Sequence, residues 1–285
     1  MTNETPLSGK RALITGGSAG IGEYAALELA RLGAHIVITG RREKVASEAA
    51  ERIRRETGST VDVLTADLSL MKGTQAFAEA YMERYEALDI LVHSAGGTAV
   101  RRTLTAEGAE LTYATQYLAR FYLNNLFLPV LKGRDARVIA VSGGGSVTKR
   151  LDRTNLHGEI SYSSLKAIET ISIANDYLGI EFHERHGRSG IRSYVYGPGP
   201  VRGTGLSAPL PFLTRSMFTL SSFVIGSTVA EAARDVLHLA TGEHPSGLYQ
   251  RRLKQAKPSK HLQDAAERNA VWQDTEREIA QRKAS

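Results

Sequence analysis

The chain of 285 residues contains no cysteine, which excludes disulfide bonds and catalysis by a thiol. It also lacks internal repeats, low-complexity blocks and linkers rich in proline, glycine or serine, and this favours one domain over two. No apolar run is long enough to span a membrane, and the polar N-terminus, MTNETPLSGK, lacks the apolar core of a signal peptide. We therefore expect a cytoplasmic protein with no membrane partner.

Positive charge is in excess, but it is not concentrated in one part of the sequence. The formal net charge is +6, and the basic residues are spread along the chain with only short doublets such as Arg54-Arg55. A nucleic-acid-binding protein usually collects its basic residues on one face, beside aromatic side chains. We therefore interpret the charge as a solvated surface and expect no nucleic-acid partner.

The stretch around which the sequence is organised is Arg11–Gly22, RALITGGSAGIG. Its apolar run predicts a buried strand, and three glycines then precede a segment with helical spacing of apolar residues. A glycine turn that leads into a helix N-terminus is a binding site for anions, because backbone N–H groups and the helix dipole both favour negative charge. An ordinary strand–helix turn that uses glycine for its backbone angles is the alternative.

The pattern TGGSAGIG resembles the cofactor loop of the short-chain dehydrogenase/reductase family, and the resemblance extends from about Ser8 to Glu278. The helical pattern Ala106–Leu131 and the tail KPSKHLQDAAERNAVWQ are similar to the retinol-dehydrogenase-like branch. The resemblance implies a single α/β domain with a doubly wound, mostly parallel sheet of the Rossmann type. It also implies that the cofactor is bound by Gly16, Ser18, Ala19, Gly20, Ile21 and Gly22.

The end of the second predicted strand, His35–Thr39, bears on the choice of cofactor. An acidic residue here binds the ribose diol of NAD(H), whereas a nearby arginine accommodates the 2′-phosphate of NADP(H). The sequence has Arg41 and no acid before Glu43, so we expect NADP(H). In the alternative, Arg41 is a basic residue at the start of the next helix, Glu43–Thr57.

Further cofactor contacts are implied at the ends of later strands. The family usually has Asn-Asn-Ala-Gly where this chain has His93-Ser94-Ala95-Gly96, and we expect His93 to be a hydrogen-bonded structural residue. Asp67 has an alternative role as the N-cap of a helix that begins near Ser69. The residues that match the family's cofactor contacts are Asp67, Leu68, Ser94, Ala95, Gly96, Pro198, Gly199, Val201 and Thr204.

The predicted acid–base pair lies in the motif ISYSSLKA, where Tyr162 and Lys166 are four residues apart. On a helix this spacing places both side chains on one face. A free tyrosine has a pKa near 10, and a neighbouring cation lowers it. The resemblance implies that Tyr162 donates a proton to the carbonyl oxygen while Lys166 lowers the tyrosine pKa and binds the nicotinamide ribose.

Two supporting positions depart from the family pattern. Gln116 stands where that branch carries an asparagine that bulges the helix and holds a water for proton relay. Gly143 stands where the family has the serine that polarises the carbonyl, so this hydroxyl is either missing or supplied by Ser142 or Ser146. Loss of one such donor typically lowers the rate by about 100- to 1,000-fold.

The C-terminal third suggests the kind of substrate. Leu206–Ile225 is apolar and aromatic, so we expect a substrate lid over residues 206–226 and a bulky hydrophobic substrate; a helix pair that closes the core is the alternative. Trp272 should dock the tail, residues 250–285, onto the body. An Ile/Ala face near Ile168 resembles the family's subunit-contact helix, which implies a homodimer or homotetramer, while a plain core face explains it equally well.

The sequence therefore predicts an NADP(H)-dependent enzyme, without a metal, that interconverts a carbonyl group (ketone, aldehyde or quinone) and an alcohol on a hydrophobic, polycyclic substrate. Two other functions remain open. One is an enzyme of this fold with chemistry other than plain carbonyl reduction, and the other is a non-catalytic NADP(H)-binding protein.

Overall fold

An eight-stranded sheet forms the centre of the computed structural model, which describes residues 5–97, 99–203 and 226–284. Two short strands, β7 and β8, form a separate parallel pair. The strands are β1 (Arg11–Thr15), β2 (His35–Thr39), β3 (Val61–Val63), β4 (Ile90–His93), β5 (Ala136–Val141), β6 (Ile191–Gly197), β7 (Val201–Arg202), β8 (Ser227–Thr228), β9 (Gly247–Gln250) and β10 (Lys254–Ala256).

The strand order in the large sheet is β10-β9-β6-β5-β4-β1-β2-β3. All neighbouring strands are parallel except β10, which pairs antiparallel with β9. The chain leaves β1 in one direction toward β3 and returns to the other side of β1 at β4. This reversal is the topological switch point of a doubly wound fold, where such folds bind their ligands. The predicted Rossmann-type sheet is confirmed.

Helices cover both faces of the sheet. They are α1 (Gly20–Arg31), α2 (Glu43–Thr57), α3 (Met71–Arg84), α4 (Leu111–Tyr113), a π-helical turn (Ala114–Leu118), α5 (Ala119–Leu126), α6 (Leu128–Leu131), α7 (Ser164–His186), α8 (Val229–Thr241), α9 (Lys260–Gln263) and α10 (Ala265–Ala284). Alternate residues of a strand face opposite sides of the sheet. Accordingly, Ala12 and Ile14 pack into one buried cluster with α1 and α8, while Leu13 packs into the other with α3, α5 and α7. This explains why the strand is apolar throughout.

The predicted helix Ala106–Leu131 is interrupted in the structure. Its first regular turn begins at Leu111, a π-helical turn follows at Ala114–Leu118, and the last short helix, α6, has Pro129 in its first turn. A π-turn shifts the backbone pairing by one residue and frees carbonyls. The carbonyl of Gln116 accepts a hydrogen bond of 2.9 Å from Asn175 Nδ2 on α7, which ties the bulge to the helix that carries the predicted acid–base motif.

The start of α3 differs from the expected capping by Asp67. The N-cap residue of α3 is Leu70. The carboxylate of Glu107 accepts hydrogen bonds from the first amides of the helix, Met71 N at 2.6 Å and Lys72 N at 3.1 Å. Asp67 instead accepts from Ser69 N at 2.9 Å and Ser69 Oγ at 2.7 Å, and it stabilises the turn before the helix.

The C-terminal helix α10 packs on the face formed by α3 and α7. Trp272 is 3% exposed, and its ring lies 4.5 Å from that of Phe121, between centroids. The guanidinium of Arg185 lies 4.5 Å above the indole centroid. The prediction that Trp272 docks the tail is confirmed.

Within the described ranges, no helix is both long and apolar enough to cross a membrane. The same ranges contain no group of three or more histidine, aspartate and glutamate side chains placed to hold a metal ion. The predicted lid, Leu206–Ile225, lies outside the residues that the structure describes.

We expect Trp272→Ala to lower the free energy of unfolding by about 3–5 kcal/mol, because it removes a large buried ring and leaves a cavity between α5 and α10. Urea denaturation followed by circular dichroism measures this change. Gln273→Ala is the matched control, since Gln273 is exposed on the same turn; its effect should stay within about 0.5 kcal/mol. Equal midpoints for the two variants would contradict the docking role.

Candidate active site

A cleft of about 780 Å³ opens at the carboxyl ends of the parallel strands, across the switch point between β1 and β4. It brings together most of the residues that the sequence predicted for the site. Those that line it are Gly16, Ser18, Ala19, Gly20, Ile21, Arg41, Asp67, Leu68, Ser94, Ala95, Gly96, Gln116, Ser142, Ser146, Pro198, Gly199 and Val201. Gly22 lies behind this surface, and Thr204 lies outside the described residues.

The glycine turn between β1 and α1 leaves no room for a side chain at Gly16 or at Gly22. Gly16 adopts a φ of +68°, and a Cβ there would lie 2.6 Å from the Cα of Ala95. A Cβ on Gly22 would lie 2.4 Å from the carbonyl oxygen of Gly16. Helix α1 begins at Gly20, and its N-cap, Ala19, makes no side-chain cap. The turn therefore leaves backbone N–H groups at a helix N-terminus beside the cleft, an arrangement that fits the diphosphate of a dinucleotide.

The end of β2 carries positive charge into the cleft. Arg41 and Arg42 both line it and both are exposed. Asp67 is the only carboxylate among the described lining residues, and it follows β3 rather than β2. The two arginines could therefore bind a phosphate group, whereas no acidic residue at the end of β2 lines the cleft to bind a ribose diol.

The structure does not bring Tyr162 and Lys166 to the cleft lining. Helix α7 begins at Ser164, where the Ser163 hydroxyl caps it by accepting from Lys166 N at 3.2 Å. Tyr162 therefore precedes the helix, and the prediction that the pair shares one helical face is wrong. The cause is local: a serine at the N-cap starts the helix two residues after the tyrosine. The Lys166 ammonium is exposed and donates to Ser161 Oγ at 2.9 Å.

The Tyr162 hydroxyl lies behind one wall of the cleft. It donates to the carbonyl oxygen of Ala99 at 3.0 Å and to Glu110 Oε1 at 3.3 Å. Ala99 and Thr112 line the cleft, so the phenol is one wall residue away from it. Burial raises the pKa of Tyr162, and the charge of Glu110 raises it further. This is opposite to the lowering by Lys166 that the sequence predicted.

Glu110 is fixed by neighbours from distant parts of the chain. Its carboxylate accepts from Tyr113 N at 2.8 Å and from Thr112 Oγ1 at 3.0 Å, and its own N–H donates to His157 Nδ1 at 3.1 Å. The other ring nitrogen of His157 lies 2.8 Å from Glu278 Oε1 on α10. Through His157, the C-terminal helix therefore positions Glu110, which in turn accepts a hydrogen bond from Tyr162.

The loop after β5 explains the missing serine. A Cβ on Gly143 would lie 2.7 Å from the Cβ of Ser172 on α7, so a serine at this position would force the helix to move. The adjacent Gly145 N donates to Asp176 Oδ2 at 3.0 Å, and burial raises the pKa of Asp176 to about 7. Ser142 and Ser146 both line the cleft on this loop, so their hydroxyls remain candidates.

Gln116 lines the cleft from within the π-turn, as the bulge in the family implied. Its side-chain Nε2 donates to the carbonyl oxygen of Gly97 at 2.7 Å, and Asn175 occupies its backbone carbonyl. The side-chain nitrogen and the backbone carbonyl therefore have protein partners, and the relay expected of this residue stays a prediction.

Sequence reasoning missed Arg120, which is 3% exposed and lines the cleft. Its guanidinium donates to the carbonyl oxygens of Val141 at 3.0 Å and Ala95 at 3.2 Å, and to Asn175 Oδ1 at 3.3 Å. Burial lowers the pKa of Arg120 to about 9, which leaves it charged at neutral pH. The signal in the sequence is an arginine inside an otherwise buried run, Tyr117–Phe121.

His93, at the end of β4, is fully buried and accordingly structural. Its Nε2 lies 2.8 Å from Asn124 Oδ1. Burial and then the positive charge of Arg120 lower the pKa of His93 to about 3, so the imidazole is neutral near pH 7.

The wall opposite the glycine turn is apolar. Helix α7 supplies Leu165, Ile168 and Ile171, and Leu111 and Val141 continue the surface. Ile168 and Ile171 therefore face the cleft rather than form only a subunit contact. This wall suits a hydrophobic ligand.

Comparison with known proteins identifies the family. The model of the short chain dehydrogenase family matches residues 10–210. Retinol dehydrogenase 14 of Mus musculus is 29% identical over 255 residues, which cover 85% of this chain and 76% of that protein. The WW domain-containing oxidoreductase of Homo sapiens is 30% identical over 292 residues, 98% of this chain and 70% of that protein.

Among solved structures, the landomycin C-6 ketoreductase LanV with bound NADP and rabelomycin is similar to this chain. The identity is 25%, the TM-score is 0.65, and the match covers 84% of this chain and 91% of that one. The chain belongs to the short-chain dehydrogenase/reductase family, in its retinol-dehydrogenase-like branch.

Proposed function

We propose that this protein is an NADP(H)-dependent oxidoreductase that interconverts a carbonyl group and an alcohol on a hydrophobic, polycyclic substrate. One observation carries the proposal. A single cleft joins an uncapped glycine turn, which fits a diphosphate, to an apolar wall formed by α7. Family membership supplies the reaction class, and the two halves of the cleft suggest a cofactor and an apolar substrate that meet at the ends of β4 and β5.

The choice of NADP(H) over NAD(H) rests on Arg41. Its exposed guanidinium lies at the end of β2, where a 2′-phosphate would gain charge-assisted hydrogen bonds. No acid competes for the ribose among the described residues at this strand end. The LanV structure contains NADP, which supports the same choice for this chain.

When bound, the cofactor supplies or accepts a hydride. In carbonyl reduction the protein must deliver a proton to the substrate oxygen, and in alcohol oxidation it must remove one; Tyr162 is our candidate for this role. Its hydroxyl has to leave Glu110 and Ala99 and turn into the cleft. One additional turn at the N-terminus of α7 would place Tyr162 and Lys166 on the same face, and the ammonium would then stabilise the phenolate.

A second donor to the substrate oxygen comes from the loop after β5. The hydroxyls of Ser142 and Ser146 are the candidates, because Ser172 leaves no space for a side chain at Gly143. A donor that is aimed at the developing negative charge lowers the barrier more than a donor to the ground-state carbonyl. The apolar wall of Leu165 and Ile168 would hold a hydrophobic substrate against this loop.

A non-catalytic NADP(H)-binding protein is the second candidate. The position of Tyr162, bonded to Glu110 outside the cleft, favours it. An enzyme of this fold with chemistry other than carbonyl reduction is favoured by Gly143, which lacks the hydroxyl of the family's serine. Turnover by variants of Tyr162 separates these functions from the main proposal.

Tyr162→Phe should lower the rate of NADPH oxidation with aromatic ketones and quinones, phenanthrenequinone among them, by about 100- to 10,000-fold, because it removes the general acid. NADPH binding, measured by fluorescence titration, should be retained. The readout for turnover is absorbance of the reduced nicotinamide.

Tyr122→Phe is the matched control, because the Tyr122 hydroxyl is bonded to Gln75 at 2.9 Å, away from the cleft. It should leave the rate unchanged. If the wild-type protein and Tyr162→Phe turn over every carbonyl equally while NADPH binds to both, Tyr162 is not the acid.

Arg41→Met should weaken NADPH binding by about 10- to 100-fold, since it removes charge-assisted hydrogen bonds to the 2′-phosphate. NADH binding should change little, so the ratio of the two dissociation constants measures the effect. Arg55→Met on α2 is the control for loss of a surface charge, as Arg55 is exposed and absent from the cleft lining. A preference for NADPH that survives in Arg41→Met would remove Arg41 from the site.

A further inference from the structure

The cleft floor contains a buried positive charge that the proposed reaction does not use. Arg120 on α5 is 3% exposed, yet it lines the cleft. Its two terminal nitrogens donate to the carbonyl oxygens of Val141 and Ala95, and its Nε is buried without a hydrogen-bond partner. The guanidinium therefore spans the ends of β4 and β5 from beneath.

No carboxylate of the described residues forms an ion pair with this charge. All three hydrogen-bond partners of Arg120 are neutral oxygens, the third being Asn175 Oδ1, and no salt bridge among the described residues includes it. The neighbouring His93 responds to the charge, because Arg120 adds to the effect of burial on the histidine pKa. A buried charge with neutral partners keeps its field, since little water or counter-charge screens it.

The position of Arg120 within the cleft identifies what the field acts on. The diphosphate of a dinucleotide fits the glycine turn, which adjoins β1 at the switch point. The half with the 2′-phosphate would extend toward Arg41 at the end of β2. The other half of the dinucleotide would then extend toward the ends of β4 and β5. Arg120 donates to carbonyl oxygens at both of these places. On the proposed function, this is the half that carries the nicotinamide.

We propose that Arg120 makes the site bind the reduced cofactor in preference to the oxidised one. The nicotinamide ring carries a positive charge in NADP+ and none in NADPH. The guanidinium repels only the charged ring. After a hydride has passed from NADPH to the carbonyl carbon and a proton to its oxygen, the same repulsion favours release of NADP+. This inference rests on the proposed use of NADP(H).

The test compares dissociation constants for NADPH and NADP+, measured by titration of the full chain at neutral pH. Two like charges about 10 Å apart, at an effective dielectric constant of about 20, repel enough to change a binding constant by roughly tenfold. We expect wild-type protein to bind NADPH about tenfold more tightly than NADP+. Arg120→Met, which is similar in length and neutral, should bring the ratio close to one. Arg120→Lys keeps the charge and should retain most of the preference.

The ratio of the two dissociation constants also controls for damage to the fold. Both ligands are titrated into the same sample, so any fraction of protein that cannot bind affects both titrations equally. Arg41→Met is the control within the cleft: the 2′-phosphate is common to both forms, so both should bind more weakly with an unchanged ratio.

The outcomes distinguish the two proposals. If neither NADPH nor NADP+ binds the wild-type protein, the proposed function fails. If both bind wild type equally, or if Arg120→Met binds with the wild-type ratio, the role of Arg120 is overturned while the cofactor assignment stands.

Discussion

The contact between the glycine turn and the end of β4 is the constraint on which the site depends. Gly16 approaches Ala95 so closely that no side chain fits between them, and this contact joins the two halves of the sheet where the chain reverses direction. The cleft opens directly above it. The carbonyl oxygen of Ala95 also accepts a hydrogen bond from Arg120. The same backbone segment therefore contacts both the glycine turn and the buried guanidinium. A residue with a side chain at Gly16 would push the two segments apart.

Much of the fold could be predicted from local patterns. The strand His35–Thr39 and the helix Glu43–Thr57 have the bounds that the sequence indicated, because apolar runs and helical spacing are set by burial on the sheet. The order of motifs also predicted most of the residues that line the cleft, although Tyr162 and Lys166 do not line it. These predictions succeed because the carboxyl ends of parallel strands lie at one edge of the sheet. Residues that follow successive strands are therefore close together in space.

The remaining features depend on contacts between residues far apart in sequence. Glu107 caps the N-terminus of α3, although no residue near Met71 in the sequence indicates this contact. Ser172 fills the space beside Gly143. Arg120 donates to oxygens on three separate segments, namely the end of β5, the loop after β4 and helix α7. Tyr162 illustrates the opposite case, since Ser163 is a local N-cap signal that outweighed the helical spacing of the motif. Propensity and spacing gave conflicting answers there, and the cap determined where the helix begins.

The bonds from α10 to His157 have a consequence for how the protein can be controlled. Glu278 orients His157, and His157 in turn accepts from the backbone of Glu110, the residue that keeps the phenol of Tyr162 outside the cleft. The proposed acid–base group is therefore connected to the C-terminal helix by a short chain of polar contacts. A molecule that pulled on the last helix could alter turnover without ever entering the cleft or competing with its ligands.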